Sequence, residues 1–373
     1  MLSLSRTDTT LWGRWWWTVD RPVLLSVLLL MVMGVILVMA ASTSVADQHN
    51  WSTFHFVKKH LVFLVPAFVI MIGLSLMSLE EVKKFAFGLF GVGIFALILT
   101  LLIGVDIKGA RRWIDVGLLS LQPSEFIKPA FAVFGGWLMA QGKEDPNFPG
   151  MRYSIVAFGL VVGLLLMQPD LGMTFLVTSV WFVQFFLAGL PLIWILILGI
   201  LGVTGLVGAY FMFSHVHKRI DQFLNPDTGD RYGELYQITQ SMDAFMNGGL
   251  FGKGPGEGIV KKNLPDAHAD FIFAVAGEEF GFILCALIII VFAFITLRSL
   301  HRVLSENNLF VLLAASGLIV QFGLQAFMNM ASILNMMPTK GVTLPFISYG
   351  GSSLLALALG MGMLLALTRR RVE

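Results

Sequence analysis

The stretch LPDAHADFIFAVAGEEFG, residues 264–281, places ionisable side chains at the entrance to an apolar run. His268 and Asp270 stand just before the run, and Glu278 and Glu279 lie about two turns inside it. A carboxylate at the entrance can serve as a general base, or it can cap a helix by accepting backbone N–H groups. The residue types alone favour capping slightly. The deeper carboxylates are expected to be functional or paired with a buried cation, because an ionised group at that depth is costly.

The same apolar run carries a face of small residues. If a helix begins near Asp270, then Ala274, Gly277 and Gly281 share its face at helical spacing. Small residues beside a carboxylate leave a groove for a neighbouring helix or for the chain of a ligand.

A second polar cluster, KGARRWIDVGLLSLQPSEFIK, occupies residues 108–128. Lys108 and Arg112 offer donors for phosphate oxygens, and a guanidinium can grip two of these oxygens at once. Glu125 suits the first turn of a helix that starts at a proline. Lys128 follows one turn later inside a short apolar span, where an isolated ammonium is costly. We expect it to meet Glu125, Glu278, Glu279 or an anionic ligand, and the alternative is a simple local ion pair.

Three further motifs predict irregular backbone. QPDLG, residues 168–172, is a tight connection in which Asp170 is a ready N-cap. The segment MMPTKGVTLPFISYGGSS, residues 336–353, holds two prolines and three glycines, and irregular backbone at membrane depth requires burial in protein or a cavity to line. GGLFGKGPGEG, residues 248–258, fits neither the mononucleotide nor the dinucleotide pattern and is predicted to be a flexible loop leading into the active region.

The elements that position these motifs are membrane helices. Of 373 residues, 57% are hydrophobic and only 13% charged, and the mean hydropathy is +0.81. Soluble domains carry about 25% charged residues, and a helix needs roughly 20 apolar residues to span a bilayer. The sequence predicts an all-α integral membrane protein forming a single domain over residues 1–373, with about ten transmembrane helices near 23–42, 61–78, 85–105, 126–140, 153–167, 171–190, 191–213, 271–297, 309–331 and 352–368.

A large outer loop, residues 214–270, separates spans seven and eight. Apolar residues recur at helical spacing over 235–246, which predicts an amphipathic helix lying either on the membrane surface or against the bundle. The basic N-terminus and the Arg369–Arg371 tail both indicate a cytoplasmic location. The basic residues within 108–128 then fall on the outer side, against the usual charge rule, which suggests an anionic ligand there. The single cysteine, Cys285, excludes a disulfide framework, and nothing in the sequence indicates nucleic-acid binding.

Taken in order, KGARRWIDVG, LQPSEFIK, QPDLG, LPDAHADFIFAVAGEEFG and LPFISYGGSS resemble the SEDS family, which includes the cell-wall polymerases FtsW and RodA and the sporulation protein SpoVE. The resemblance covers nearly the whole chain. The segment PTKGVTLPFISYGGSS is similar to the division branch, FtsW, more than to RodA. Asp266 and Phe280 stand where the family more usually has Glu and Leu, both conservative differences.

The resemblance implies a SEDS-type bundle that polymerises lipid II, a disaccharide-pentapeptide on undecaprenyl pyrophosphate, by a single inverting displacement. The family's essential aspartate falls on Asp270, which makes this residue the expected base and reverses the preference for capping. The expected substrate-binding residues are Lys108, Arg112, Gln122, Glu125, Lys128, His268 and Ser348. No tightly bound cofactor is implied, although a divalent cation (Mg²⁺ or Mn²⁺) beside Asp270 is compatible with a pyrophosphate substrate.

Partners implied by the resemblance are a class B penicillin-binding protein and other divisome membrane proteins. The implied location is the bacterial inner membrane at the division septum, with both termini cytoplasmic and the active site periplasmic. Alternatives left open are a lipid II flippase, a RodA-type elongation polymerase, a polysaccharide ligase and a non-catalytic scaffold. Glu278 and Glu279 have no assured role in the catalytic scheme, and a buried pair with Lys128 is the working expectation.

Overall fold

The computed structural model describes residues 10–48, 52, 54–107, 110–115, 117, 120–189, 192–212, 217, 220–221, 234–264, 266–337 and 341–370. It is mostly helical, as the apolar runs predict. The helices are α1 (Leu11–Thr18), α2 (Arg21–Gln48), α3 (His55–Ser75), α4 (Leu79–Ile103), α5 (Pro123–Glu144), α6 (Gly150–Met167), α7 (Leu171–Leu187), α8 (Leu192–Met212), α9 (Glu234–Gly248), α10 (Ile272–Val303), α11 (Leu309–Ile333) and α12 (Gly351–Leu367).

A helix lies over each predicted span. Six apolar stretches are long enough to cross a membrane by length and composition, namely residues 21–42 of α2 and the whole of α3, α4, α6, α10 and α11. The shorter or more polar helices do not meet that standard, so the ten-span topology stays a prediction. The chain is a multi-pass membrane protein.

Local sequence signals set several helix starts. Ser78 and Glu81 form a capping box at α4, in which Ser78 N–H donates to Glu81 Oε2 at 2.7 Å. Asn308 caps α11 by accepting from Val311 N–H at 3.1 Å. Pro123 occupies the first turn of α5, where its missing N–H leaves no bond unmade.

The bundle has two chemically different ends. The basic end, where α2 and α4 begin and α10 and α12 finish, carries Arg14, Arg298, Arg302 and Arg369. The loop end, opposite to it, carries the connections 104–122, 168–170, 264–271 and 334–350. Since α5, α11 and α12 pack closely together and reach both ends, they form the frame on which the loop-end segments rest.

A small antiparallel sheet at the loop end was missed by the all-α prediction. Its strands are β1 (Val105–Ile107), β2 (Ala110–Asp115) and β3 (Ser120–Leu121), in the order β1-β2-β3. The sheet spans the connection between α4 and α5. Its segments are too short for a strand period to stand out in the sequence.

Helix α10 is broken at Gly281, which has φ 75° and ψ −174°. The N–H groups of Lys253 and Gly254 donate to the carbonyls of Glu278 and Glu279, both at 3.0 Å, so the glycine-rich loop satisfies the broken ladder. A Cβ at Gly281 would lie 2.5 Å from the Leu250 carbonyl oxygen, so this position requires glycine. The loop predicted to be flexible is thus hydrogen-bonded into the helix.

The predicted amphipathic helix exists as α9 and packs on the bundle. Its buried face, which includes Ile238 and Ala244, lies against α10. A Cβ at Gly277 would collide with the ring of Phe245, which fills the small-residue face of α10. Of the two occupants foreseen for that groove, the structure places a neighbouring helix there.

Candidate active site

Asp270 lies in a turn and not on a helix. Residues 266–271 form turns, α10 begins at Ile272, and its N-cap, Phe271, makes no side-chain cap hydrogen bond. The structure therefore assigns the N-cap position of α10 to Phe271 and not to Asp270. A Cβ added at Gly341 would lie 3.7 Å from Asp270 Oδ2, which places the carboxylate beside the start of the segment 341–350.

Three hydrogen bonds hold the backbone of this turn. Ser348 Oγ donates to the Ala269 carbonyl at 2.7 Å, and Tyr349 N–H donates to the His268 carbonyl at 3.0 Å. Asn329 Nδ2 donates to the Asp270 carbonyl at 2.9 Å. Two of these bonds come from the 341–350 segment and the third comes from α11, so the position of Asp270 depends on both.

The 341–350 segment is irregular and buried, as the prolines and glycines of residues 336–353 predict. Its backbone is non-helical, while Leu344, Phe346 and Ile347 are almost fully enclosed. Phe346 has φ 61°, a conformation that a bulky residue adopts only under strain and that clusters at functional sites. Thr339 and Lys340, which carry part of the resemblance to the division branch, lie outside the described residues.

Lys128 forms a buried ion pair with Glu125. The Nζ–Oε2 distance is 2.8 Å, and the side chains are 1% and 4% exposed. Lys128 also donates to Gln325 Oε1 at 2.9 Å, and Gln325 Nε2 donates in turn to the Thr343 carbonyl at 3.2 Å. In this conformation Lys128 is enclosed, and its ammonium bonds to Glu125 and Gln325.

Gln325 and Asn329 connect the cation to the carboxylate. They lie four residues apart on one face of α11, a separation of about 6 Å along the axis. Gln325 contacts Lys128, and Asn329 contacts the turn of Asp270 and also the Val342 carbonyl at 2.7 Å. The turn of Asp270 and the Lys128 ammonium are therefore bonded to two residues one helical turn apart on α11.

Arg112 extends from β2 to the connection between α6 and α7. Its Nε donates to the Gln168 carbonyl at 3.2 Å and its Nη2 donates to the Pro169 carbonyl. Its Nε is also 3.9 Å from Asp170 Oδ2. Some of the donors expected for phosphate are thus used to hold the 168–170 turn, while the side chain keeps 27% exposure at the loop end.

Asp170 is the N-cap that the sequence predicts. Its Oδ1 accepts from Met173 N–H at 3.2 Å. Burial raises the pKa of Asp170, and the nearby charge of Arg112 opposes that rise. Glu125 and Lys128 also act electrostatically on Asp170, which places all these charged groups in one region.

The remaining expected binding residues lie in different surroundings. Gln122 precedes α5, with its N–H donating to Ser352 Oγ at 3.1 Å. His268 is buried against Phe56 at 4.0 Å between ring centroids, so its ring packs and does not open to the surface. Lys108 lies outside the described residues.

The prediction that Glu278 and Glu279 pair with Lys128 is wrong. Glu279 pairs with Lys261, whose Nζ also donates to the Ala40 carbonyl at 2.8 Å. Glu278 accepts from the N–H groups of Ile259, Val260 and Lys261 at 2.8–2.9 Å. Lys128 is already paired with Glu125. The two deeper carboxylates hold the 249–264 segment against α10.

Sequence reasoning missed Gln325, Asn329 and Lys261. The first two had a usable signal, because Gln321, Gln325 and Asn329 recur every four residues in an apolar span and so place amides on one helix face. Lys261 had none, since its burial depends on the fold of a long loop.

The described residues of the site form no metal-binding cluster. Within the described ranges, no group of three or more His, Cys, Asp or Glu side chains could hold a metal ion. The described residues therefore do not fit a resident divalent cation, and no step of the chemistry is assigned to one.

Comparison with known proteins identifies the family. Residues 21–373 match the family described as "Cell cycle protein", which groups FtsW, RodA and SpoVE. The chain is 43% identical over 370 residues to a "Probable peptidoglycan glycosyltransferase FtsW" of Caulobacter vibrioides, covering 99% of this chain and 94% of the relative. It is 34% identical over 357 residues to the protein of the same name from Coxiella burnetii, covering 94% and 96%.

Two solved structures have a similar fold. A chain described under "Structural coordination of polymerization and crosslinking by a peptidoglycan synthase complex" is 25% identical, with a TM-score of 0.77 over 94% of this chain and 97% of that one. Rod shape determining protein RodA of Thermus thermophilus is 25% identical, with a TM-score of 0.63 over 95% and 97%.

Fold and comparisons together define a membrane-embedded glycosyltransferase of the SEDS class, as the motifs indicated. The chain belongs to the FtsW/RodA/SpoVE family, and it is a peptidoglycan glycosyltransferase.

Proposed function

We propose that this protein polymerises lipid II into glycan strands for cell division, with Asp270 as the general base. The observation that carries the proposal is the arrangement on α11. Asn329 holds the backbone of Asp270, and Gln325, one turn away, holds Lys128. A base and a cation fixed to one helix face suit a reaction that removes a proton and releases a pyrophosphate.

The reaction needs one displacement. The 4-hydroxyl oxygen of the acceptor GlcNAc attacks the anomeric carbon of the donor, and Asp270 takes the hydroxyl proton. The bond between that carbon and the pyrophosphate oxygen breaks, and undecaprenyl pyrophosphate leaves with the bonding electrons. The α-linked donor becomes a β-linked product by inversion, so a single base suffices and no covalent intermediate forms.

The positive charges of Arg112 and Lys128 favour the leaving pyrophosphate. Arg112 is partly exposed beside the 168–170 turn, where its guanidinium can meet an oxygen of the leaving group. Lys128 is enclosed and paired with Glu125, so it would act through its hydrogen bond to Gln325, which also binds the Thr343 carbonyl, and not by contact with the leaving group. Lys108, which precedes β2 in the sequence and lies outside the described residues, stays a proposed contact for the pyrophosphate.

A flippase is supported less well. Such a protein needs a charged or hydrated path, and the deeper carboxylates are the natural candidates to line it. Glu278 and Glu279 are instead bonded to Lys261 and to loop N–H groups. Their roles are structural, which leaves the chemistry at the loop end.

The proposal extends to the cell. We propose that both termini lie in the cytoplasm, that the loop end faces the periplasm, and that the protein works in the inner membrane at the septum. A class B penicillin-binding protein would cross-link the glycan it makes. Support comes from the arginines gathered at the basic end, from the FtsW relatives, and from the fold shared with a chain of a peptidoglycan synthase complex.

The test is reconstitution with defined substrate. Purified protein in liposomes, with and without the class B partner, is given lipid II, and both glycan products and released undecaprenyl pyrophosphate are measured. The proposal requires β-linked glycan and one pyrophosphate for each new bond. Movement of lipid II across the bilayer without glycan would support the flippase instead. In cells, depletion should give filaments, whereas round cells that still divide would indicate the elongation branch.

A further inference from the structure

A cavity at the basic end is separate from the candidate active site. It has a volume of about 500 Å³ and lies where α1, α2, α10 and the end of α12 meet. Its lining residues are Trp16, Trp17, Val19, Arg21, Pro22, Leu25, Arg298, Arg302 and Arg370. The proposed reaction uses none of these residues.

The cavity has an excess of positive charge. Four arginines line it, and Asp20 pairs with two of them, Arg298 and Arg302, each at 2.9 Å. One carboxylate cannot neutralise four guanidinium groups, and no described carboxylate forms a salt bridge with Arg21 or Arg370. The buried Nη2 of Arg302 has no hydrogen-bond partner among the described residues. An anion with several oxygens would satisfy these donors.

The lining is also apolar along one side. Leu25 and Pro22 lie in the first turns of α2 and are exposed, and Leu25 has 57% of its surface free. The Trp16 and Trp17 rings stand beside Arg21, whose guanidinium carbon lies 4.7 Å from the Trp17 ring centroid. Tryptophan beside arginine at the end of a transmembrane bundle is typical of the headgroup level of a bilayer. A ligand there would meet charge and hydrocarbon together.

The walls of the cavity are fixed in place. Trp15 Nε1 donates to Ser75 Oγ at 2.9 Å, which anchors α1 to the end of α3. Arg370 N–H donates to the Thr18 carbonyl at 2.9 Å, and Arg369 Nη1 donates to the Leu76 carbonyl at 3.1 Å. Because the backbone on three sides is tied down, the arginines are held near one another before any ligand arrives.

We propose that this cavity binds the phosphodiester headgroup of an anionic phospholipid, with the acyl chains running along Pro22 and Leu25. The arginines bind the phosphate oxygens, and the tryptophan rings cover the glycerol region. In the orientation proposed above, the lipid belongs to the inner leaflet. A free phosphate would use the charges but not the apolar side, so the lipid is the better occupant.

Native mass spectrometry of the purified full-length protein tests this proposal. The protein is titrated with phosphatidylglycerol, with phosphatidylcholine, and with soluble glycerol phosphate. Arg21→Gln and Arg370→Gln each remove one cavity charge without touching the Asp20 pairs. Lys143→Gln removes an exposed charge at the same end and serves as the control. Thermal unfolding confirms that each variant is folded.

We expect tight retention of phosphatidylglycerol by the wild type and weak retention of phosphatidylcholine. Each cavity variant should weaken phosphatidylglycerol binding about five-fold, and the double variant more, because each basic group near a membrane surface contributes about that factor. Lys143→Gln should bind as the wild type does. Equal retention by all variants would overturn the proposal, as would displacement of the lipid by glycerol phosphate at equal concentration, which would indicate a site for a soluble phosphate.

Discussion

Replacing Asn329 with leucine should impair catalysis without removing any group that takes part in the chemistry. Asn329 is 2% exposed, and its Nδ2 donates to the Asp270 and Val342 carbonyls at 2.9 and 2.7 Å. Leucine has the same branched arrangement of heavy atoms and makes neither bond. The turn that carries Asp270 then loses its tie to α11.

The magnitude follows from the two bonds. A buried hydrogen bond contributes about 1 kcal/mol net, so two contribute about 2 kcal/mol. If that energy holds Asp270 in its reactive position, its loss lowers the rate by about thirty-fold, since about 1.4 kcal/mol corresponds to ten-fold. The fall should appear in kcat with KM nearly unchanged, because the substrate contacts remain.

The assay is the initial rate of glycan synthesis from lipid II, corrected for the folded fraction by thermal unfolding. Gln321→Leu is the matched control, since Gln321 is a buried amide two turns away whose Oε1 has no hydrogen-bond partner among the described residues. It should retain nearly full activity. A folded Asn329→Leu variant that polymerises at the wild-type rate would refute the idea that α11 positions Asp270.

Three further predictions concern the break in α10, the buried pair of Lys261 and Glu279, and the ion pairs of Asp20 at the basic end. Gly281→Ala should sharply reduce the yield of folded protein, because φ 75° and the Leu250 carbonyl exclude a Cβ. Gly88→Ala is the control and should be tolerated, since open space surrounds Gly88. Equal yields of the two variants would contradict the requirement for glycine at position 281. Lys261→Met and Glu279→Gln should each lower the free energy of unfolding by about 3–5 kcal/mol, because each leaves a buried partner unpaired. The double variant should lose less than the sum of the two, and additive losses in denaturation midpoints would argue against a buried pair. Burial tends to raise the pKa of Asp20, but hydrogen bonds from two arginines lower it below its ordinary value of 3.8. The ionised carboxylate therefore stabilises the fold above pH 3.8, and this stabilisation is lost as the pH falls through the pKa of the folded state. Asp20→Asn should remove this part of the acid sensitivity of the unfolding temperature.

The helices were predictable because their cause is local. Apolar runs of the length a bilayer needs leave few alternatives to a helix, and the N-cap Asp170 and the first-turn Pro123 mark two of the starts. The irregular segment 341–350 was also predictable from local sequence, since Gly341, Pro345 and Gly350 do not fit a regular helix.

Contacts between residues far apart in the sequence were not predictable in this way. The pairing of Lys128 with Glu125 is local, three residues apart on α5, but its second partner, Gln325, depends on the packing of α5 on α11. Lys261 reaches Glu279 because α10 breaks at Gly281 and admits the glycine loop. Long-range contacts of this kind depend on how helices assemble, which no local pattern encodes.

The measurement that tests the central claim most directly is the polymerisation rate of Asp270→Asn beside Asp266→Asn. Both variants make the same chemical change in one short turn, and asparagine tolerates the positive φ of Asp266 as well as aspartate does. We predict that Asp270→Asn folds, binds lipid II and loses at least ~100-fold of the rate, the lower end for general acid–base catalysis, while Asp266→Asn stays close to wild type. Near-normal glycan synthesis by Asp270→Asn would contradict the assignment of Asp270 as the base.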